Sequence, residues 1–519
     1  LGHQQLDSLR VNYHGGHPVI ISCTFHLAGL PETPSMASLL IKYSRAGHLL
    51  LLAMVSLGCQ DQNTNPKKDA NTDPEPTLHV TVTDDPELAT AIAREWKSRA
   101  GSKITVANIT TAQLLESKRL QTDLIIYPSA QLGPLAAQKK LLPLRKYMTE
   151  TLAEHTQGLL PTASKTEVYW GPERYAASLG SPQLMLYYRR DIFEALELEP
   201  PETWTDYQQL VSVLSDRERL APWVPEDQQS WQATAEPLGP GWAAVTLLAR
   251  AAAYTRHPNQ YSGIFDYLSM EPLIASAPFI RALKELLQAA NQETGKKWPS
   301  SPSATRQQFY QGQSAMALSW PSLGDSPQDS TTATKPLSVA WALLPGARDI
   351  YNASEEAWET LPGPETAHVP LLAISGRLGS VSRDSKHPRF AADSLVRLTS
   401  TKWSVSVSRQ SRFTTMFRTS HLADPIPWMD IGTQPTAADQ FAAVCQQAHT
   451  ASRVMFCLRL PGRTRYLQHL DQAVSRALSG EASPQDALLE AARQWEAITK
   501  ELGREQQGQA YRQSLGLEP

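Results

Sequence analysis

Six large aromatic residues, Trp170, Tyr175, Trp242, Trp320, Trp341 and Tyr466, fall at expected strand ends, helix starts or loop junctions of this 519-residue chain. Their planar faces suit the weakly apolar C–H faces of a ring-shaped, hydroxyl-rich small molecule, and their N–H and O–H groups add a polar handle. The chain holds 13 Trp and 16 Tyr against 10 Phe, an excess of the aromatics that carry such a handle. Arg174 and Arg463 add donors for hydroxyl or carboxylate groups. The competing role for each aromatic is a place in the core, and for each arginine a solvated surface position. Chemistry of this kind is capture without bond making. No CxxC, HExxH or His/carboxylate pair at ligand spacing occurs, so neither a metal nor a cofactor is expected. Glycosidic hydrolysis would need two carboxylates roughly 5–10 Å apart, and no catalytic signature frames any Asp or Glu of the sequence.

Composition narrows the classes further. With 41% hydrophobic and 19% charged residues the chain reads as an ordinary globular protein, long enough for two large lobes with extras. A net charge of −3 and the lack of a long basic run exclude nucleic acid as an expected partner.

The elements that must position these residues begin with Leu78–Val82, an alternating, β-branched strand. Asp84-Asp85-Pro86 then turns the chain into a helix over Glu87–Arg99, with Leu88, Ile92 and Trp96 on one face. Ile104–Ile109 is the next strand, Thr110-Thr111 caps a helix near Ala112–Lys118, and Asp123–Tyr127 is an apolar run of the kind buried in parallel sheets. This alternation predicts right-handed βαβ units on a parallel sheet. Tyr175–Tyr188 reads as extended chain. A short helix, Ile192–Leu198, stops at Pro200-Pro201. Thr203, with Asp206 three residues on, caps a new helix near Trp204. Val224–Gly239 reads as loop, Gly241–Tyr254 and Ile280–Ala290 as helices, and Val339–Leu344 and Val369–Ser375 as strands. Tyr466–Gly480 and Ser483–Leu502 close the chain as helices, the second with Pro484 behind a serine cap.

Three stretches carry a resemblance. Gly171–Trp204 joins a strand, a charged turn, a short helix and a Pro-Pro-x-Thr-Trp junction. Phe309, Gly312, Ala315 and Met316 fit an F-x-x-G-x-x-A-M pattern, and the last helix opens with G-x-x-S-P-x-x-A-L. In order and spacing, residues 77–502 resemble the bacterial extracellular solute-binding proteins of family 1, the sugar-capturing receptors of ABC importers. The resemblance implies a type II periplasmic binding fold: two α/β lobes, a hinge and a ligand cleft between the lobes. It implies a monomer that captures a small solute, a mono- or oligosaccharide, and delivers it to an ABC permease in the membrane. Residues 77–178 then form the first lobe, 179–368 the second and 369–415 a return to the first, with 416–519 a helical part mostly in the second. The carboxyl ends of the first strands, Thr83–Asp85 and Pro128–Gln131, become ligand loops, which makes Asp84, Tyr127 and Ser129 candidates. The alternative role of Asp84 is helix capping. Trp320 gains weight as the aromatic that the family carries into its cleft. The crossing at Tyr175–Ser181 is rich in small residues and suits a hinge beside a ligand, adding Ser181. Trp204 is expected to be scaffold. The other readings are the same fold holding a polyamine, an anion or a metal complex, a sensor or scaffold domain, or an envelope glycoside hydrolase.

The first 76 residues have a separate logic. Met36 opens a segment with Lys42 and Arg45 followed by the apolar run Leu49–Leu57, too short for a bilayer span of about 20 residues but of signal-peptide form. Residues 1–35 are read as an upstream extension and 36–58 as the signal peptide. Cys59 after Gly58 resembles a lipobox cysteine, although Ser56 and Leu57 stand in reversed order; an unmodified signal peptide is the alternative. Residues 59–76 are polar and expected to be a tether to a membrane-anchoring lipid on the periplasmic side of the envelope. Cys445 and Cys457 could pair as one disulfide or stay as two buried thiols.

Overall fold

The computed structural model describes residues 76–148, 156–224, 231–291, 298–322, 337–430 and 433–517. The expected upstream extension, signal peptide, lipid cysteine and nearly all of the tether lie outside these residues.

Two sheets organise the fold. In the first, the spatial order is Ile104–Ile109, Leu78–Thr83, Leu124–Pro128, Arg377–Val381 and Ala177–Gly180. The first three strands are parallel, and Arg377–Val381 runs antiparallel to both of its neighbours. The apolar run at Leu124 is buried on both faces, which is why it lacks alternation. Leu124 and Ile126 join the cluster of Leu88, Ile92, Trp96 and Leu395, while Ile125 and Tyr127 point the other way, into the core shared with Leu132 and Trp170. The helix Pro86–Arg99 starts where the sequence puts it. Asp85 accepts the Leu88 N–H at 3.1 Å, Pro86 fills the first turn, and Lys97 and Arg99 sit at the carboxyl end, where the helix dipole favours cations. Burial of Leu88, Ile92 and Trp96 contributes about 2 kcal/mol per side chain.

The second sheet has the order Val339–Leu343, Met185–Arg189, Ser314–Ser319 and Gln232–Ala235. Gln232–Ala235 falls in a stretch that the sequence reads as loop. Its small and polar side chains give no apolar signal, yet all four residues are buried because the strand pairs in parallel with Ser314–Ser319. Thr203 and Asp206 form the expected capping box at the start of Trp204–Leu214. Trp204 is 1% exposed, with the Arg250 guanidinium 4.0 Å above its ring, and so belongs to the scaffold.

The chain passes from the first sheet to the second through Ser181–Leu184. Within residues 369–415, read from the sequence as the return to the first lobe, the expected strand is shorter than its apolar run. Val369–Ser375 supplies only the two-residue strand Leu371–Leu372, paired with Met455–Phe456, and the strand that re-enters the first sheet is Arg377–Val381. The reason is close packing. A Cβ on Gly376 would stand 1.8 Å from Ser181 Oγ, so the returning chain lies against the outgoing one only through glycine. Apolar content pointed to Val369–Ser375; the space beside Ser181 and the pairing with Tyr127 select the next segment instead. Cys445 and Cys457 are both free and buried, in separate core clusters.

Candidate functional site

After Leu124–Pro128 the chain makes one tight turn, Ser129–Gln131, and enters the short helix Leu132–Ala137. Facing it, the segment after Met455–Phe456 leads through Gly462, with φ +81°, into the helix Arg463–Leu478. Between the two lies a cavity of ≈ 390 Å³, with Leu115, Gln131 and Gln138 on one wall and Leu460, Arg463 and Arg465 on the other. Beneath it the walls touch. A Cβ on Gly133 would fall 1.9 Å from the Arg459 carbonyl oxygen and 2.4 Å from the Trp170 ring.

A buried polar centre lies at this contact. Glu167 is 1% exposed, and its Oε1 accepts the Ala373 N–H at 2.8 Å. Burial raises the Glu167 pKa; the Ser181 hydroxyl, the Ala373 amide, the Arg459 charge and the Ser129 hydroxyl each oppose the rise. Arg459 stacks on Phe456 at 3.8 Å and donates through Nη1 to the carbonyls of Glu167 (3.2 Å) and Tyr169 (3.3 Å), and through Nη2 to that of Ser514. Burial pushes its pKa down to about 10 against the pull of Glu167 and Tyr127. Two serines chosen from sequence, Ser129 and Ser181, thus meet around a carboxylate that the sequence did not single out. Glu167 sits in an unremarkable stretch, SKTEVYW, and only tertiary proximity marks it.

The aromatic candidates divide. Trp320 donates its Nε1–H to the Arg412 carbonyl at 3.1 Å, and Trp242 packs on it at 5.6 Å with a tilt of 49°. Trp242 is half-buried, so part of its ring remains exposed, and neither tryptophan is among the residues lining the ≈ 390 Å³ cavity. Its segment is held by Asp471 of the helix Arg463–Leu478, which accepts the N–H groups of Gly241 and Ala244 at 2.8 and 2.7 Å. Burial raises the Asp471 pKa, and those amides and the Arg463 charge oppose it.

The remaining candidates stand elsewhere. Trp341 lies in the core with Tyr187 (5.8 Å) and Phe441 (5.1 Å). Tyr466 is fully buried, its hydroxyl 2.9 Å from Thr499 Oγ1 and its ring against Trp495 and Phe265. Tyr127 is fully buried with its hydroxyl 2.6 Å from Ser380 Oγ, and burial raises its pKa. Trp170 packs against Gly133 and Arg459; Arg174 is buried and donates locally to the Ala176 carbonyl at 3.1 Å; Tyr175 is half-buried. Asp84 is exposed at φ +51°, and its carboxylate accepts the Thr111 N–H (3.1 Å) and Oγ1–H (2.6 Å), an arrangement that holds the start of Thr111–Glu116. The neighbouring Asp85, capping Pro86–Arg99, is also paired with Arg377 at 2.9 Å in full burial.

The architecture has close relatives in shape. MalE, the sugar-binding protein of Xanthomonas citri, superposes with a TM-score of 0.61 at 16% identity, covering 82% of this chain and 98% of its own. An ABC transporter solute-binding protein from Agrobacterium radiobacter K84, solved with ribitol, gives 0.59 at 19% identity over 82% and 99%. Maltose-bound MalE3 of T. maritima gives 0.59 at 14% identity over 81% and 99%. No curated protein matches the chain in sequence. Residues 81–388, more than half of the chain, match the bacterial extracellular solute-binding protein family. With its two α/β lobes, the chain belongs to that family.

Proposed function

We propose that this protein captures a carbohydrate or polyol in the cleft between its lobes and delivers it to an ABC permease from a lipid-anchored position on the periplasmic side of the envelope. The observation that carries the reading is the half-open Trp242–Trp320 pair, on a segment that Asp471 ties to the cleft-lining helix Arg463–Leu478. Stacking on such a pair and a few hydrogen bonds suffice for micromolar affinity, about −8 kcal/mol. Relatives in shape that hold ribitol, D-mannitol, maltose and maltotetraose support the same solute class. Capture proceeds by hinge motion at Ser181–Leu184 and Gly376, a shift of population toward the closed lobes, without covalent chemistry.

The charge of the cleft bears on the alternative of a charged solute. Arg463 and Arg465 line one wall, Arg465 paired with Glu501 at 2.6 Å, and no carboxylate is among the described residues lining that cavity. This disfavours a polyamine and leaves room for an acidic sugar. A thermal-shift panel of neutral sugars, polyols, sugar acids and polyamines tests the assignment. Stabilisation by a sugar or polyol, lost in Trp242→Ala, is expected; a response to polyamines alone overturns it. For the anchor, radiolabelled palmitate should enter the wild type and be absent from Cys59→Ala.

A further inference from the structure

The first sheet has two ends, and they differ in chemistry. The cleft lies at the carboxyl ends of its parallel strands. At the opposite end those strands begin, at Leu78, Ile104 and Leu124, and Arg377–Val381 leaves, because it runs antiparallel with Val381 beside Leu124. Each loop at this end exposes basic side chains. Arg99, paired with Glu95 at 3.0 Å, and Lys103 flank the turn into Ile104–Ile109, and Lys118 and Arg119 precede Leu124–Pro128. Arg383 and Lys386 follow Arg377–Val381, and the Arg383 N–H donates to the Lys140 carbonyl, which brings the exposed Lys139 to the same end.

The acids among these loops are mostly engaged internally. Asp123 is buried and accepts from Ser385 Oγ (2.6 Å) and the His79 N–H (3.0 Å), and Asp384 accepts the Leu120 N–H at 2.9 Å. Glu116 remains as an exposed acid. The chain enters the fold at this end as well: Pro76 and Thr77 border a hollow of ≈ 620 Å³ together with Arg119, Lys386 and His387.

We infer that this basic end of the first lobe docks on an anionic phospholipid surface. The inference rests on the envelope reading of the family but not on a lipid at Cys59. Basic side chains near an anionic leaflet gain about fivefold in partition each, within a Debye length of the surface. A face built from several loops at one end of a sheet presents such charges together. None of these loops carries a Phe, Tyr or Trp, as a single-stranded nucleic-acid platform would.

The test is co-sedimentation of the full chain carrying Cys59→Ala with vesicles of phosphatidylcholine alone or mixed with phosphatidylglycerol, at low and high salt. Binding should depend on phosphatidylglycerol and weaken with salt. The triple reversal Lys118→Glu, Arg119→Glu, Lys386→Glu should lower it by about a hundredfold or more. A matched reversal on the helices of the other lobe, Arg476→Glu, Arg493→Glu, Lys500→Glu, should leave it near the parent value. Binding that ignores phosphatidylglycerol, or equal losses in both triple variants, overturns the inference. Failure of the lipid anchor appears separately, in the palmitate labelling.

Discussion

Glu167 Oε1 accepts the Ala373 N–H at 2.8 Å, so one buried carboxylate ties the chain ahead of the outgoing crossing to the chain ahead of the return. The groups acting on that carboxylate are the Ser181 and Ser129 hydroxyls and the Arg459 guanidinium, and burial outweighs them to raise its pKa. A carboxyl with a folded-state pKa above its unfolded value holds its proton more tightly when folded, so its ionisation opposes folding. Stability should therefore fall as pH rises from the ordinary carboxylate range through the raised pKa, and Glu167→Gln should flatten that part of the profile. Urea unfolding of both proteins between about pH 4 and 8 reads the difference. Identical slopes would show that Glu167 does not titrate there.

The Asp85–Arg377 pair is the second interior lock. Both side chains are almost fully buried, the pair is 2.9 Å long, and Arg377 also lies 4.2 Å above the Phe413 ring. Arg377→Met should cost about 3–5 kcal/mol, because it strands a buried carboxylate. Joined with Asp85→Ala, it should cost less than the sum of the single changes. Additive losses in denaturant titrations would deny the coupling.

Gly133 sets how closely the short helix Leu132–Ala137 approaches the chain at Arg459. Any Cβ there meets the Arg459 backbone at 1.9 Å, and backbone cannot step aside as a flexible side chain can. Gly133→Ala should lower the melting temperature and enlarge the radius of gyration in small-angle scattering. An unchanged radius together with an unchanged melting temperature rules out this contact in solution.

The tryptophans should separate by role. Trp341→Ala, in a packed core, is expected to cost about 3–5 kcal/mol of stability. Trp242→Ala, half-buried on Trp320, should leave stability nearly intact and weaken solute binding about tenfold, the worth of one aromatic stack. Calorimetric titration with the solute found in the thermal-shift panel measures the second effect. Unweakened binding by Trp242→Ala would place the solute elsewhere.

Much of the scaffold was legible because its signals are local. Asp85 and Pro86 before a helix, Thr203 with Asp206, Pro200-Pro201 as a stop and the apolar run at Leu124 each depend on the geometry of a few consecutive residues. Their order also carried the family. The strand Gln232–Ala235 and the place of the strand Arg377–Val381 within the return segment 369–415 were not legible, since their burial comes from pairing partners far along the chain. The candidate site divides by the same logic. Residue type and position marked Trp242 and Trp320 as candidates to meet a solute, and the family resemblance added Ser129 and Ser181. Sequence could not tell those from Trp341 and Tyr466, because an aromatic at a strand end or helix start looks the same whether it faces a cleft or a core. Nor could it find Glu167 and Arg459, whose charges matter only because folding removes both from water and brings them together.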